Sequence, residues 1–203
     1  MPDSPDFPPP SLRVLLIDDG AHRIALIRDE LTRLGCEVLG VVELATLIHD
    51  CVQRLKPDVV IVDSESPTRD TVEMLATVSE TLPRPVVMFS EDGSGETMRR
   101  ALKAGVSAYV VDGLRAERLA PVLQVAIARF EQDLALRQEL GRAQAQLAGR
   151  KSVERAKGIL MSELGLDEDA AYKRLRRLAM DRGEPLAAVA DRVIDAHSLL
   201  RPG

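Results

Sequence analysis

Aromatic residues are scarce in this 203-residue chain: they make up 2% of it, and tryptophan is absent. Any stacking on unpaired bases must therefore depend on very few side chains. The two cysteines, Cys36 and Cys51, lack metal-ligand spacing, so we expect reduced structural thiols in a cytoplasmic protein. No apolar run approaches the roughly twenty residues that a membrane span needs. These absences exclude a disulfide framework, a cysteine metal site and a transmembrane helix.

The N-terminal stretch MPDSPDFPPP is rich in proline and lacks the basic and apolar regions of a signal peptide. We interpret residues 1–11 as a disordered leader. The net charge is −5, but residues 149–203 carry eleven basic against nine acidic side chains, which leaves −7 on residues 1–148. A polyanionic partner would therefore meet the C-terminal part of the chain, although the charge difference is small.

Short β-branched runs alternate with helical patterns between Leu12 and about Ala128. The alternation predicts strand–helix units, and the continuous valine and isoleucine runs favour a parallel sheet covered by helices on both faces. The predicted strands are RVLLID, EVLGVV, PDVVIVD, PVVMFS and SAYVV. We therefore expect an α/β domain, a five-stranded doubly wound parallel sheet, over residues 12–128.

Carboxylates end three of these apolar runs. Asp18 and Asp19 end the first run, Asp63 ends the third, and Asp112 ends the fifth. Ligands of parallel sheets bind outside the carboxyl ends of the strands, so we expect the four acids to converge where a ligand would lie. Mg²⁺ prefers such carboxylate oxygens. The alternative is that these are ordinary acids at strand ends that face solvent.

A long helical pattern runs from roughly Ala116 to Leu164 and contains two apolar seams that are one residue out of phase. The first seam comprises Leu123, Ile127, Phe130 and Leu134, and the second comprises Leu136, Leu140, Ala143 and Leu147. We expect the first seam to pack on the sheet domain and the second on a partner helix, so that residues 129–148 form a coiled-coil linker in a homodimer. The alternative is one amphipathic helix that folds back on its own domain.

Residues 149–203 are predicted to form a small domain of three helices. Gly165 ends the first helix, Asp167 caps the second, and Gly183 ends the second before Pro185. The predicted core comprises Val153, Ala156, Leu160, Leu164, Leu175, Leu178, Leu186, Val189 and Val193. We also expect Ala156, Ala170, Ala179 and Met180 to set close helix packing.

Basic side chains form stripes on two of these helices. The first helix carries Arg150, Lys151, Arg155 and Lys157, and the second carries Lys173, Arg174, Arg176 and Arg177. Such stripes bind phosphates, and the alternative is a solvated helix face with pairs to neighbouring acids.

The first part of the chain resembles the receiver domains of two-component response regulators, which have a flavodoxin-like fold. By this resemblance, Asp18 and Asp19 match the acid pair that holds Mg²⁺ together with Asp63, and Asp63 matches the phosphoacceptor. Ser90 and Tyr109 match the hydroxyl and the aromatic residue of the receiver switch. The resemblance therefore implies Mg²⁺ as the one cofactor that the acidic cluster could bind.

Two positions depart from the receiver pattern. The family has a lysine after the fifth strand, where this chain has Asp112, and it has a glycine where this chain has Thr71. Replacing a cation by an anion removes a counter-charge and disfavours a phosphoryl group unless a metal compensates. We therefore interpret the domain as a pseudo-receiver, kept for protein contacts while its phosphorylation is weakened or lost.

The tail resembles the ANTAR domain, a small RNA-binding module of transcription antiterminators, over about residues 147–200. The pieces that carry this resemblance are AKGILM and AAYKRLRRLAM. The strings DSESPTRD, AYVVDGL and ERAKGILM are most similar to the nitrate-assimilation antiterminators of the NasT type. Tyr172 is the only aromatic residue of the tail and hence the one base-stacking candidate. The predicted RNA contacts are Lys157, Tyr172, Lys173, Arg176 and Arg177.

These resemblances imply a cytoplasmic regulator, not an enzyme, that binds hairpin RNA in the leader of a nascent mRNA and prevents terminator formation. For the nitrate subgroup they also imply an inhibitory, NasS-like partner protein that senses nitrate or nitrite and releases the regulator. Two alternatives stay open. One is an ANTAR response regulator that a histidine kinase activates by phosphorylation. The other is a DNA-binding response regulator, since three short helices can mimic a helix-turn-helix.

Overall fold

A computed structural model of the chain describes residues 12–18, 24–111 and 116–200. The chain divides into two compact units, Met1–Leu134 and Ala135–Gly203. The leader, Asp19 and Asp112 lie outside the described residues.

The first unit contains a five-stranded sheet with all neighbouring strands parallel and the order β2-β1-β3-β4-β5. Its strands are β1 (Arg13–Asp18), β2 (Glu37–Val42), β3 (Val59–Ser64), β4 (Val86–Ser90) and β5 (Ala108–Val111). All five predicted strands are present, and this order is the doubly wound arrangement of flavodoxin-like proteins. The predicted fold class is therefore confirmed.

Seven α-helices and one short 3-10 helix, Ala45–Leu47, lie in the described ranges. The α-helices are α1 (Ile24–Arg33), α2 (Ile48–Leu55), α3 (Arg69–Thr81), α4 (Gly95–Lys103), α5 (Ala116–Leu164), α6 (Glu168–Arg182) and α7 (Leu186–Leu200). The 3-10 helix directly precedes α2. Thr68 caps α3 and Ser94 caps α4, each through a side-chain oxygen that accepts a hydrogen bond from the backbone amide three residues later. None of the helices in the described ranges combines the length and the apolar character needed to cross a bilayer.

Successive side chains of a strand point to opposite faces of the sheet, and here the side chains on both faces are buried. In β1, Val14 and Leu16 join a core cluster with residues of α1 and α5, such as Leu31 and Leu123. Leu15 and Ile17 point to the other face, where their core cluster includes residues of α2, α3 and α4. Each face is thus covered by helices, as the continuous apolar runs indicated.

The first seam of α5 packs on the sheet unit: Leu123 is buried, and Ile127 contacts the same core cluster. The second seam is different, since Leu136, Leu140 and Leu147 are 67%, 58% and 56% exposed in the single chain. The first of the two packing predictions is therefore confirmed for these residues. The second, a partner helix on the exposed seam, stays a prediction.

The second unit has its own core between the last part of α5, α6 and α7. Asp167 caps α6 by accepting a 2.7 Å hydrogen bond from the amide of Ala170, and Gly183 ends α6 in the left-handed conformation. The buried core residues are Ala156, Leu160, Ala171, Leu175, Ala179, Val189 and Ala190.

Two predictions about this core are wrong. Leu164 is 50% exposed, because α5 ends at this residue, and Met180 is 72% exposed on α6. Met180 is next to the buried Ala179, and a step of one residue turns a helical side chain by about 100° and so away from the core. Ala156 and Ala179 are buried in this core as predicted, and a further close approach occurs at Gly149, where an added Cβ would lie 3.1 Å from the Cβ of Ala187.

Candidate functional site

Two of the predicted acids meet at the carboxyl ends of neighbouring strands. Asp18 and Asp63 are direct partners in the register of β1 and β3, and both are buried, with 2% and 1% of their surface exposed. Burial of two adjacent carboxylates is costly unless a cation, a proton or hydrogen bonds compensate. The arrangement rules out the alternative that these two residues are ordinary acids facing solvent.

The donor chemistry at this edge of the sheet suits Mg²⁺, which binds carboxylate oxygens. Asp18 and Asp63 would contribute these oxygens, and Asp19, the third predicted ligand, lies outside the described residues. Within the described ranges there is no group of three or more potential metal ligands. Two of the three predicted ligands, Asp18 and Asp63, are thus adjacent in the structure. When bound, the ion would neutralise the carboxylates and a phosphoryl group.

Ser90 lies at the end of β4, where it is fully buried and pairs in register with Ser64 of β3. Its hydroxyl donates a 3.1 Å hydrogen bond to the carbonyl oxygen of Glu65 and accepts one of 3.1 Å from the amide of Asp92. The same amide lies 3.2 Å from the Glu65 carbonyl. The loop after β4 is therefore bonded to the loop after β3 through backbone groups.

Tyr109 is half-buried on β5 and packs against the core cluster of α2, α3 and α4. Its hydroxyl donates a 2.7 Å hydrogen bond to the carbonyl oxygen of Asp92. The Asp92 carboxylate accepts a 2.8 Å hydrogen bond from the amide of Ser94, and this bond, together with one to Thr97, lowers the pKa of Asp92. The two predicted switch residues thus hold one loop from two sides.

Lys157, a predicted RNA contact, is only 7% exposed. Its ammonium group lies 2.8 Å from the carboxylate of Glu154 and 2.7 Å from that of Glu168, and these two hydrogen bonds raise the pKa of Lys157. It therefore joins α5 to the first turn of α6. An ammonium group with two carboxylate partners and little exposed surface is poorly placed to reach a phosphate.

The basic residues of α6 lie on its exposed surface. Lys173 pairs with Asp169 at 2.5 Å, which raises the pKa of Lys173, and Arg177 lies 3.9 Å from Asp181. Exposed pairs of this kind contribute little free energy and exchange readily. Among the described residues, neither Arg174 nor Arg176 has an ion-pair partner.

Two grooves flank α6 and share no lining residue. The first, which we call the basic groove, has a volume of about 520 Å³ and is lined by Leu166, Ala170, Lys173, Arg174, Arg177, Leu178 and Asp181. Arg174 thus belongs with two of the predicted contacts although it was not chosen as one. The helical spacing of the lining positions could have identified Arg174, since positions 170, 173, 174, 177, 178 and 181 lie on one side of a helix.

The second groove, which we call the tyrosine groove, has a volume of about 850 Å³ and is lined by α5, α6 and the start of α7. Tyr172 lines it and is 41% exposed. The helix α5 contributes Gln146, Gly149 and Arg150, and α7 contributes Leu186 and Ala187. The tyrosine and the basic groove therefore lie on different faces of α6, which the sequence stripe did not reveal.

Comparison with known families gives two matches. The response regulator receiver domain matches residues 14–124, and the ANTAR domain matches residues 141–194. Together they account for both compact units. The chain belongs to the response regulators that join an N-terminal receiver domain to a C-terminal ANTAR domain.

A relative of nearly the same length is the transcriptional regulatory protein PdtaR of Mycobacterium tuberculosis. It is 32% identical over 187 residues, which cover 90% of this chain and 89% of PdtaR. A protein-glutamate methylesterase of Sulfurimonas denitrificans is 35% identical over 104 residues, but this match covers only 29% of that enzyme. The similarity to the enzyme is confined to the receiver domain.

Solved structures agree with the receiver fold. The signal receiver domain of a modulated diguanylate cyclase from Desulfovibrio desulfuricans superposes with a TM-score of 0.53 and 27% identity, over 60% of this chain and 97% of that domain. The receiver domain of the putative regulator NarL from Mycobacterium tuberculosis gives a TM-score of 0.50 and 26% identity, over 58% of this chain and 98% of that domain.

Proposed function

We propose that this protein is a transcription antiterminator that binds hairpin RNA in the leader of a nascent mRNA. The observation that carries the proposal is the ANTAR match over residues 141–194, which falls within the second compact unit. The family of that domain is one of RNA-binding antiterminators. The chain acts where nascent RNA is made, in the cytoplasm, and we assign it no catalytic activity.

Phosphate contacts come from the exposed basic residues of α6. Arg174 and Arg176 are the strongest candidates because no carboxylate among the described residues competes for them. Lys173 and Arg177 would exchange an exposed aspartate for a phosphate at little cost. We remove Lys157 from the proposed surface and give it a positioning role, since it joins α5 to α6.

Antitermination follows from preferential binding to one of two RNA structures. The leader can form either the bound hairpins or the terminator. The protein shifts the equilibrium between these two RNA structures by the difference in its affinity for them. Moving such an equilibrium from 1:99 to 99:1 needs about 5.5 kcal/mol, or roughly a 10⁴-fold preference. Phosphate contacts alone do not distinguish hairpins, so part of this preference must come from contacts with bases.

The exposed seam of α5 supports a homodimer. Leu136, Leu140 and Leu147 recur at coiled-coil spacing and are more than half exposed in the single chain. A second copy that packs on this seam would remove these side chains from water. A dimer would present two RNA-binding units and so bind two hairpins in one leader, which raises the apparent affinity without new contacts.

We place the receiver in residues 12–128, the coiled-coil linker in 129–148 and the RNA-binding domain in 149–203.

We propose that an inhibitory, NasS-like partner protein controls the regulator by binding to it, and that nitrate or nitrite releases it. The charge at Asp112 supports control by protein exchange, because an anion stands where receivers hold the lysine that contacts the phosphoryl group. The buried pair Asp18 and Asp63 favours a second candidate, in which a histidine kinase phosphorylates Asp63. A pull-down from cell extract with and without nitrate separates the two, since only the first needs a partner that nitrate displaces.

Binding and activity are tested together. The protein should bind hairpin RNA from its own upstream leader, and excess hairpin should compete while duplex DNA of the same sequence should not. In a transcription assay on that leader, the protein should increase readthrough of the terminator. Equal competition by duplex DNA would favour the DNA-binding alternative, and binding to RNA without any readthrough would contradict antitermination.

A further inference from the structure

The tyrosine groove combines a half-exposed aromatic ring with apolar walls. Tyr172 is 41% exposed and does not belong to the buried core cluster of the unit. Leu186 and Ala187 of α7 contribute an apolar surface beside it. A volume of about 850 Å³ is within the range of sites that bind small molecules. The groove can therefore accept a planar group that stacks on the tyrosine.

Two polar side chains reach this groove from one face of α5. Gln146 and Arg150 are four residues apart, so they are neighbours on the helix surface. Among the described residues, neither has a hydrogen-bond or ion-pair partner. A glutamine amide offers both donors and acceptors, and an arginine offers a planar fork of donors, which are the groups that recognise base edges.

The charge at the groove suits an anionic polymer. Glu154 also lines the groove, but its carboxylate lies 2.8 Å from the buried ammonium group of Lys157, which compensates its charge. Arg150 adds a cation beside it. Three of the proposed phosphate contacts, Lys173, Arg174 and Arg177, line the separate basic groove, so the tyrosine groove is available for a base.

We propose that the tyrosine groove binds an unpaired nucleobase from the loop of hairpin RNA. The base stacks on Tyr172, and Gln146 and Arg150 donate and accept hydrogen bonds at its edge. This inference rests on the proposed RNA-binding function and adds a specificity site to it. It also extends the RNA-binding surface into residues 145–148 of α5, which were assigned to the linker.

The test couples a change in the protein to a change in the RNA. Hairpins with one fixed stem and a randomised loop are selected for binding to the full chain, and each loop position of the best hairpin is then made abasic. At the position that occupies the groove, the abasic change should weaken binding to the unaltered protein by about 5- to 150-fold. The same change should cost Tyr172→Ala clearly less, because the stacking contribution is already absent and only the edge contacts of Gln146 and Arg150 remain to be lost.

Two further variants test the assignment of the edge contacts. Tyr172→Phe keeps the ring and should restore the full abasic penalty. Gln146→Ala should keep the stacking part of the abasic penalty but reduce the discrimination between the selected base and the other three. Arg174→Ala is the matched control on the basic groove, and it should weaken all hairpins equally and leave the abasic penalty unchanged.

Several outcomes would overturn the inference. An equal abasic penalty for the unaltered protein and Tyr172→Ala at every loop position would show that no base contacts the ring. A lower mass of Tyr172→Ala in light scattering, with RNA affinity lost in proportion, would assign the groove to a second copy of the chain. Should Tyr172→Ala fail to fold, Gln146→Ala decides, and unchanged base discrimination would then overturn the proposal. If the unaltered protein selects no hairpin at all, the proposed function itself is wrong.

Discussion

The hydroxyl of Tyr109 donates a 2.7 Å hydrogen bond to the backbone carbonyl of Asp92, and this bond joins β5 to the loop after β4. Ser90 joins the start of the same loop to the carbonyl of Glu65, after β3. Both bonds end on backbone carbonyl groups of this chain. Internal contacts of the chain therefore hold both parts of this loop in the structure.

Tyr109→Phe removes one of these bonds and keeps the packing of the ring. We expect the free energy of unfolding of the receiver domain to fall by about 0.5–1.5 kcal/mol, measured by urea unfolding. Amide exchange in residues 91–97 should become faster. Tyr172→Phe is the matched control, and it should change neither quantity. Unchanged exchange in Tyr109→Phe would mean that the loop is held by other contacts.

The carboxylate of Asp92 contributes a pH-dependent part of this loop's stability. Its pKa is lowered in the folded chain, chiefly by the hydrogen bond from the amide of Ser94. A lowered pKa stabilises the fold above the unfolded value of about 3.9, and this contribution is lost as the pH falls through the folded pKa. Asp92→Asn should therefore melt below the unaltered protein at pH 7 but not at about pH 2. A difference that persists in acid would contradict the assignment.

Lys157 and Arg176 should respond in opposite ways. Lys157→Met removes the ammonium group that joins Glu154 and Glu168, so the midpoint of thermal unfolding should fall. The folded variant should keep the salt dependence of RNA binding. Arg176→Ala should leave the midpoint unchanged and lower the slope of log affinity against log salt by roughly one unit, because one phosphate contact is lost.

The contrary result is equally specific. A lower salt slope for Lys157→Met, at a temperature where the variant is fully folded, would mean that Lys157 leaves its carboxylate partners to contact RNA. Lys157 would then be one of the phosphate contacts.

The exposed seam of α5 gives a prediction about assembly. Leu140→Gln together with Leu147→Gln should convert dimers into monomers, because both leucines are more than half exposed unless a second copy covers them. Light scattering measures the mass. Leu199→Gln, at a leucine that is 82% exposed outside the seam, is the control and should not change it. A dimer that survives the double substitution would place the interface elsewhere.

Phosphorylation of the receiver is expected to be weak. Asp63→Ala should leave regulation in cells nearly unchanged, because Asp112 adds negative charge where the family has a lysine. Asp112→Lys should increase the labelling of the protein by acetyl phosphate and Mg²⁺. Loss of induction in Asp63→Ala as complete as in a gene deletion would favour the kinase-driven alternative instead.

The strands could be predicted from the sequence because apolar runs mark them clearly. The runs RVLLID and EVLGVV have the same bounds as β1 and β2 in the structure. The same pattern predicted that acids would lie together at the strand ends, and Asp18 and Asp63 are neighbours in register. Side chains of a strand alternate between the two faces, and the strands of a doubly wound sheet end at the same edge. Together these two rules leave little freedom in which residues meet at the strand ends.

The surface of the RNA-binding unit could not be predicted equally well. A basic stripe shows which residues are cationic, but it does not show which of them a neighbouring helix covers. Lys157 is buried because α6 begins beside it, and Tyr172 and Arg177 face different grooves because five helical residues turn a side chain by about 140°. These facts depend on how three helices cross, which a local pattern does not contain.

The close approach of Gly149 to Ala187 offers a tool for work in living cells. A Cβ at position 149 would lie 3.1 Å from that of Ala187, so a branched side chain there would require α5 and α7 to shift by at least a few tenths of an ångström. Gly149→Val should thus behave as a conditional allele, tolerated in the cold and lost on warming as the strained unit melts. A shift in temperature would then remove the regulator from a growing culture, which separates its immediate targets from later adaptation.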